Sequence, residues 1–400
     1  MKQHALATID GAREELLRLS TTIHSNPELA FKEFQSAATL VAMLEKYGFA
    51  VERGVGGLET SFRAEARGHS AGPTIALLAE YDALAGLGHA CGHNLICTAA
   101  VGAGIALKSL MDELPGRVLV IGTPAEEGGS GKVIMLKNGA FNGIDATMLV
   151  HPATRTMVTR GSLATVRVTF EFFGKPAHAA AAPEDGINAL EALLAAFHSI
   201  NALRLHLKAD ARVHGIITHG GTALNVIPEY AAAQFSIRAA TRAYVDEIAQ
   251  RVIQCAQGGA NATSAQLKYT IDDGLAEFIP NRAMANAFAE NWRALGAQVL
   301  EPRPNERMGS TDHGDVSHSV PSLHPYIAIA PEGTAGHTVA FRQAAISPAG
   351  QDGMLKAAKG LAMTTIDLLC SENLMREMRE EFTRSMSDRP KPRAADGESK

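Results

Sequence analysis

Three histidines, a cysteine and two adjacent glutamates stand where this chain could do chemistry. His93, Glu127, His151 and His337 each occupy a Gly- or Pro-containing loop just beyond an apolar run or its neighbour. Histidine, cysteine and glutamate are ligands for first-row divalent metals. Cys91-Gly92-His93 sets a thiol and an imidazole two residues apart, a spacing that a loop can aim at one point. In Glu126-Glu127 two neighbouring carboxylates cannot both fill one role, so one can bind metal while the other moves protons. Singly, each residue reads as readily as something plainer: a satisfied histidine, a solvated carboxylate pair, a small buried cysteine. The joint pattern leaves a metal centre and a set of structural residues both open. A cysteine hydrolase with Cys91 as nucleophile and His93 as base is a further reading. Two residues in one loop make awkward geometry for that pair, and Glu126-Glu127 is then unexplained. Chelator sensitivity separates the two chemistries.

The elements that would position these residues alternate along the chain. Ile9, Ala12, Leu16, Leu19 and Ile23 repeat at helical spacing, and Asn26-Pro27 ends that helix. A second helix carries Phe34, Ala37, Val41 and Leu44 inward and stops near Gly48. TIALLAE (74–80), RVLVIGTP (117–124) and ATMLV (146–150) read as buried parallel strands. Polar, Gly-rich loops follow each, and loops beyond the carboxyl ends of such strands converge. Between 163 and 277 the texture changes. ATVRVTFEFFG alternates as a half-exposed strand, a helical stretch runs from Gly186 to about His206, and further strands, RVHGIITHG and EYAAAQFSIRAAT, follow before a closing helix and strand. From 278 the first texture resumes, with a helix over 281–294, a strand at 326–330 and an amphipathic helix running past 370. The expected fold is therefore α/β with two domains, one spanning 1–162 plus 278–385 and interrupted by a smaller α+β insertion (163–277). A charged, Pro-containing stretch, 386–400, reads as a disordered tail.

Composition narrows the function. Four hundred residues favour two domains, and 46% hydrophobic with 20% charged residues is ordinary for a globular protein. A net charge of -5 with no basic stripe argues against nucleic acid. Four scattered cysteines (Cys91, Cys97, Cys255, Cys370) form no disulfide framework and point to a reducing compartment. The first twenty residues lack the apolar core of a signal peptide, and no apolar run reaches a membrane span. The expectation is a cytoplasmic protein with no membrane or nucleic-acid partner.

The strings AEYDALAGLGHACGHN, TPAEEGG, LVHP, GKPAHAAAAPEDGINAL, GGTALNVIPE and GSTDHGDVSHSVPSLHPY, in this order between about residues 20 and 370, resemble the M20 metallopeptidase family. They are most similar to its amidohydrolase branch of aminobenzoyl-glutamate and N-acyl-amino-acid hydrolases. The loop pattern also resembles bacterial ochratoxin-type amidohydrolases, which widens the implied substrates to aroyl-phenylalanine amides. The resemblance implies two divalent metal ions, zinc first with manganese or cobalt as alternatives, held by Cys91, His93, Glu127, His151 and His337. It implies Glu126 as general base for a water, and Asp82 as the carboxylate that orients a ligand. In the inserted domain it implies His178 as the oxyanion donor reaching a neighbouring subunit, Asn225 as a substrate contact and Arg238 as the grip on a substrate carboxylate. It also implies that 1–162 plus 278–385 form a mixed-sheet di-metal hydrolase domain, that 163–277 is a lid or dimerisation domain, and that a homo-oligomer forms through the latter. The implied substrates are N-acyl or N-aroyl amino acids, or dipeptide-like amides with a free carboxylate. A metal-binding but catalytically silent relative that only binds such molecules is the competing reading, and the presence of Glu126 argues against it.

This sequence departs from the family pattern in places. Asn94 replaces the usual aspartate after Cys-Gly-His, removing a charge, and Ala85 replaces a proline, loosening that loop. His89 is close enough in sequence to compete as a ligand. His313, His318 and His324 read as supporting or structural residues.

Overall fold

Continuous and alternating apolar runs settle into two different sheets. The first unit of the chain contributes β1 (Ala50–Arg53), β2 (Phe62–Arg67), β3 (Thr74–Ala79), β4 (Arg117–Gly122), β5 (Ala146–Met148) and β6 (His151–Ala153). The second contributes β7 (Ala164–Phe173), β8 (Arg212–His219), β9 (Tyr230–Ala239) and β10 (Gln266–Ile271). β11 (Ser322–Leu323) and β12 (Tyr326–Ala328) then return to the first. This computed structural model describes residues 1–389, in units comprising Met1–Gly161 with Phe278–Arg389, and Ser162–Glu277.

The first unit is built on a sheet in the order β1-β2-β4-β3-β5-β11. β3, β4, β5 and β11 run parallel, while β1 and β2 are antiparallel additions at one edge, which makes the sheet mixed. All six residues of β3 are buried because both faces are covered. Ile75, Leu77 and Ala79 enter one core, with the helix His93–Lys108 and the N-terminal helices, whereas Ala76 and Leu78 enter a second with Ile121, Met135 and Phe141. A strand buried on both sides needs no polar alternation, and its sequence reads as one apolar run. β12 pairs in parallel with β6 as a separate ribbon.

The second unit holds an antiparallel sheet, β10-β7-β9-β8. Here alternation is the rule: Val166, Val168, Phe170 and Phe172 face a core with the helices Ala189–Arg204 and Arg242–Thr263, while intervening positions are partly or fully exposed. Asn188 and Thr241 cap those helices, accepting N–H bonds from Leu190 and Glu191 and from Tyr244.

Several expectations at helix level need correction. The opening helix is two helices, Lys2–Gly11 and Arg13–Ser25, broken at Ala12, where Gly11 weakens the helix. Phe34 begins the next helix exposed rather than inward, while Ala37, Leu40, Val41 and Leu44 make its buried face. The last helix is likewise two, Pro348–Cys370 and Glu372–Ser387, with Ser371 capping the second through Leu374 N–H. That helix carries Met386 and Ser387 out of the expected tail, and the tail from 390 lies outside the described residues. Among the described residues no helix is long and apolar enough to cross a membrane.

Candidate active site

The loops after β3, β4 and β5 meet, and each delivers polar atoms to one place. The turn after β4 is the most constrained. Ala125 sits at φ 61° just before the short helix Glu126–Gly129, a left-handed backbone that costs a non-glycine residue roughly 1–2 kcal/mol. Buried Glu33 holds it there, accepting Ala125 N–H at 2.9 Å while also bonding Thr60 Oγ1 at 2.8 Å. The sharp turn swings both glutamate side chains, each 12% exposed, toward His93. Strain retained at a turn of this kind marks a functional position more often than an accident.

The loop after β3 supplies Cys91 and His93. Gly92 between them has φ 82°, and a Cβ there would meet Pro152 Cγ at 2.6 Å, so only glycine lets the Cys91–His93 pair approach the strand that carries His151. His93 is fully buried, and its Nδ1 lies 2.9 Å from the Asp82 carbonyl and 3.0 Å from Asp82 Oδ1. Both partners are acceptors, so Nδ1 carries the hydrogen of the neutral ring, which leaves Nε2 as the nitrogen able to give its lone pair to a cation in place of a second proton. Asp82 Oδ2 accepts the Glu127 N–H at 2.8 Å, so one carboxylate aligns two loops. His151 is set the same way. Its Nδ1 lies 2.7 Å from the Pro152 carbonyl and its Nε2 faces Cys91 Sγ at 3.4 Å. His337, at φ 58°, comes from a loop tied to Ala90 O and brings Nε2 to 3.3 Å from Glu127 Oε1.

Donor atoms of Cys91, His93 and His151 lie within 4.8 Å of one another, as do those of Cys91, Glu127 and His337, and those of His93, Glu126 and Glu127. The first two triads share Cys91. His93 Nε2 and Glu127 Oε1 are buried with no hydrogen-bond partner. Buried polar atoms cost free energy unless something satisfies them, and this thiol, imidazole and carboxylate set has the chemistry of a divalent-metal site. The residues therefore fit a two-metal centre.

The electrostatics reflect the crowding. Burial would lower the pKa of His93, but Asp82 and Cys91 outweigh it and hold the imidazole well above 6.5. Burial raises Glu126 well above the usual carboxylate range, and the charges of Glu80 and Asp312 add to this. Burial also opposes ionisation of Glu127, yet His337 and His93 keep it below its usual value. Burial pushes the Cys91 thiol upward, with Glu127 adding to the rise, which disfavours a free thiolate nucleophile. His151 is pushed down to about 4, mainly by burial.

The unit thus gathers Asp82, Cys91, His93, Glu126, Glu127, His151 and His337. His89 is buried but belongs to none of the ligand groups found among the described residues. Asn94 turns away from the cluster, donating to Ser20 Oγ at 2.9 Å and Ala345 O at 3.2 Å, so its lost charge is replaced by helix packing. His318 accepts from Arg389 at 3.3 Å.

Sequence reasoning missed three charged neighbours. Glu80 Oε2 lies 3.6 Å from His93 Nε2, and Lys132 Nζ is 2.7 Å from both Glu80 Oε1 and Asp312 Oδ1. The available signal was Glu80 itself, a carboxylate closing the apolar run of β3, where a solvated residue has no reason to be. Glu33 was missed as well, because nothing local distinguishes it from the exposed Lys32 beside it.

The remaining predicted residues belong to the second unit. His178 is exposed, and its Nδ1 accepts N–H bonds from Ala180 at 3.3 Å and Ala181 at 3.2 Å. Nδ1 is thereby an acceptor, leaving Nε2–H as a donor. A bridge between His178 and Val226, with Ala179 N–H bonded to Asn225 O at 3.0 Å, places Asn225 beside it. Arg238 is half-buried near the far end of β9, opposite Thr165 and Arg212. From Tyr230 to Arg238 the strand covers ~27 Å at ~3.4 Å per residue.

Known proteins resemble both units. The peptidase dimerisation domain family matches residues 158–263. The Xaa-Arg dipeptidase of Mus musculus is 37% identical over 397 residues, covering 96% of this chain and 92% of the relative. A p-aminobenzoyl-glutamate hydrolase chain from Escherichia coli strain K12 is 32% identical over 458 residues, covering 96% and 95%. A Bacillus subtilis crystal structure described as a dinuclear metal-binding peptidase from the M20 family matches with TM-score 0.71 at 22% identity, over 90% of this chain and 99% of that one. With relatives this similar along nearly its whole length, the chain belongs to the M20 family of metallopeptidases and amidohydrolases, enzymes that hydrolyse amide bonds.

Proposed function

We propose that this enzyme hydrolyses the amide bond of N-acyl or N-aroyl amino acids, or of dipeptide-like substrates with a free carboxylate, using two metal ions and Glu126. The observation that carries this reading is the convergence of thiol, imidazole and carboxylate donors from four segments of the chain, with His93 Nε2 and Glu127 Oε1 buried and unpartnered among them. Cys91, His93, Glu127, His151 and His337 would hold the metals, and their thiol and imidazole content favours zinc, with manganese and cobalt as alternatives. Bound there, the metals supply Lewis acidity that polarises the scissile carbonyl and acidifies water.

The chain's own residues do the rest. Glu126 takes a proton from the attacking water and returns it to the leaving amine. Asp82 holds His93 and the Glu127 backbone in register. His178 offers Nε2–H to the negative charge that develops on the carbonyl oxygen. Asn225 contacts substrate beside it, and Arg238 grips the carboxylate as a planar, two-point donor. Because His178 and Arg238 lie near opposite ends of the second unit's sheet, one copy cannot apply both to one small substrate, which favours a homodimer formed through this unit. β8 is an edge strand with Ile216 and Ile217 exposed at 64% and 42%, an apolar edge suited to pairing with a second copy. The relatives' names, an Xaa-Arg dipeptidase and a p-aminobenzoyl-glutamate hydrolase, share an amide made to the nitrogen of an amino acid. We place the enzyme in the cytoplasm.

The test is a panel of N-benzoyl, N-acetyl and dipeptide substrates ending in Arg, Glu or Phe, each as free acid and as amide, with wild type and Arg238→Ala. Charge-assisted bonds worth about 1.5–3 kcal/mol predict a loss of ten- to about 150-fold in kcat/KM on the acids. The amides, which lack the charge, should change little. Equal losses on acid and amide would separate Arg238 from the carboxylate and remove the free-acid requirement.

A further inference from the structure

Lys132 is fully buried, an uncommon place for an ammonium group. It contacts Glu80 and Asp312 at 2.7 Å each, and its backbone N–H donates to the second oxygen of Asp312 at 2.9 Å. Asp312 therefore grips this lysine by both side chain and backbone, fixing the first turn of the helix Gly131–Lys137 that follows the short helix bearing Glu126. Oxygens of Glu80, Asp312 and Glu126 lie within 4.8 Å of one another. Three carboxylates so close repel unless a cation sits among them, and the chain supplies one of its own.

We propose that Lys132 is a positioning residue for catalysis: as the tethered cation of the Glu80, Glu126 and Asp312 group, it sets the carboxylate of Glu126 for proton transfer. It acts through neighbours. Glu80, held by the ammonium on one oxygen, keeps its other oxygen 3.6 Å from His93 Nε2, and Asp312 anchors the helix that follows the one carrying Glu126. A tethered ammonium cannot dissociate, so this arrangement persists whether or not divalent ions are bound. A solvated lysine in a Gly-rich loop would have no such contacts.

The proposal rests on Glu126 as the proton acceptor, which Glu126→Gln tests separately: near-normal kcat with both metals and Lys132 in place would overturn that reading and not the contacts of Lys132. Wild type, Lys132→Met and a triple variant that removes the lysine with both of its carboxylate partners (Lys132→Met, Glu80→Gln, Asp312→Asn) are compared for metal content, KM and kcat on one N-acyl amino acid. Removing one partner of a buried ion cluster strands the others, so Lys132→Met alone can fail to fold, whereas the triple variant leaves no such charge unpaired. In whichever variant folds, kcat per metal-loaded site should fall about 100-fold, the low end for a misplaced acid–base group, with KM and two-metal content near wild type. Wild-type kcat in a folded variant would overturn the role of Lys132. So would a fall that simply tracks lost metal, since Lys132 would then support the ligands rather than the base. A wild type active without metal would instead overturn the two-metal reading itself.

Discussion

Two histidine-rich groups lie in the same unit, touching where His151 stacks on His324 at 5.5 Å, and they are built in opposite ways. In the Cys91–His93–His151 group, hydrogens are tied back to Asp82 and Pro152, and the lone pairs converge on one another. In the His313–His324 group the bonds run as a line. Ser322 donates to Val320 O at 2.8 Å, so Thr147 must donate to Ser322 at 2.7 Å, His313 Nε2–H to Thr147 at 3.0 Å, and His324 Nδ1–H to His313 Nδ1 at 3.2 Å. One carbonyl acceptor fixes every hydrogen along that line. Only His324 Nε2 at its end lacks a partner among the described residues. Carboxylates separate the groups further: Glu126 and Glu127 flank the first, and hydroxyls the second. Converging lone pairs beside carboxylates invite a cation, whereas a directed line of donors and acceptors is already satisfied.

The largest effect that would sharpen this contrast is loss of the proton carrier. Glu126→Gln keeps the shape and removes the base, so kcat should fall roughly 100- to 10,000-fold while metal content stays at two. Metal analysis beside steady-state kinetics checks it. Near-normal kcat with both metals present would take Glu126 out of the mechanism and leave the convergent group as a binding site only.

A second test concerns the ligands, and His337 suits it best. Its backbone is left-handed and its side chain 53% exposed, so His337→Gly removes the imidazole while relieving roughly 1–2 kcal/mol of backbone strain. The variant should bind one metal fewer, yet its metal-free form should unfold at no lower temperature than metal-free wild type. Chelating wild type should abolish turnover and remove stabilisation of about 4 kcal/mol, where free metal stands near 1,000 times its Kd. Full metal content in His337→Gly would strike this residue from the ligand set.

How much of this was legible in sequence depends on how local each signal is. β3 and β4 announced themselves as apolar runs because both of their faces are covered, and the loops bearing His93, Glu126 and His151 followed from them. The inserted α+β unit read correctly for the opposite reason, because its strands alternate with one face on a core, and the mixed sheet followed from the family resemblance. Lys132 did not, because its partners Glu80 and Asp312 lie far away in sequence and a lysine among glycines looks solvated. The order of bonds in the His313 group was equally hidden, since it is fixed by Val320 O and not by any residue type. Helix breaks at Ala12 and Ser371 fell inside continuous apolar periodicity, where one residue's backbone angle leaves no trace in the pattern.

The smallest expected effect tests the second group alone, through pH. Burial, with a contribution from Lys132, holds His313 well below 6.5, so it stays neutral in the folded protein. Once unfolded it regains its ordinary value and binds a proton as the pH drops below about 6.5. The unfolded state then binds more protons than the folded one, so stability is lost as pH falls and is unaffected above that range. Each such histidine adds a slope of up to ~1.4 kcal/mol per pH unit. His313→Gln can still donate to Thr147 but cannot titrate, so it should cost about 1–3 kcal/mol at pH 7, where His324 loses its acceptor. Between pH 6 and 5 the variant should lose less stability than wild type, by up to that single-histidine slope. Denaturant unfolding at each pH measures it, with metal content and kcat as controls that should barely move. An unchanged acid slope would show that His313 is not held neutral by the fold, and a loss of metal would show that the two groups are one.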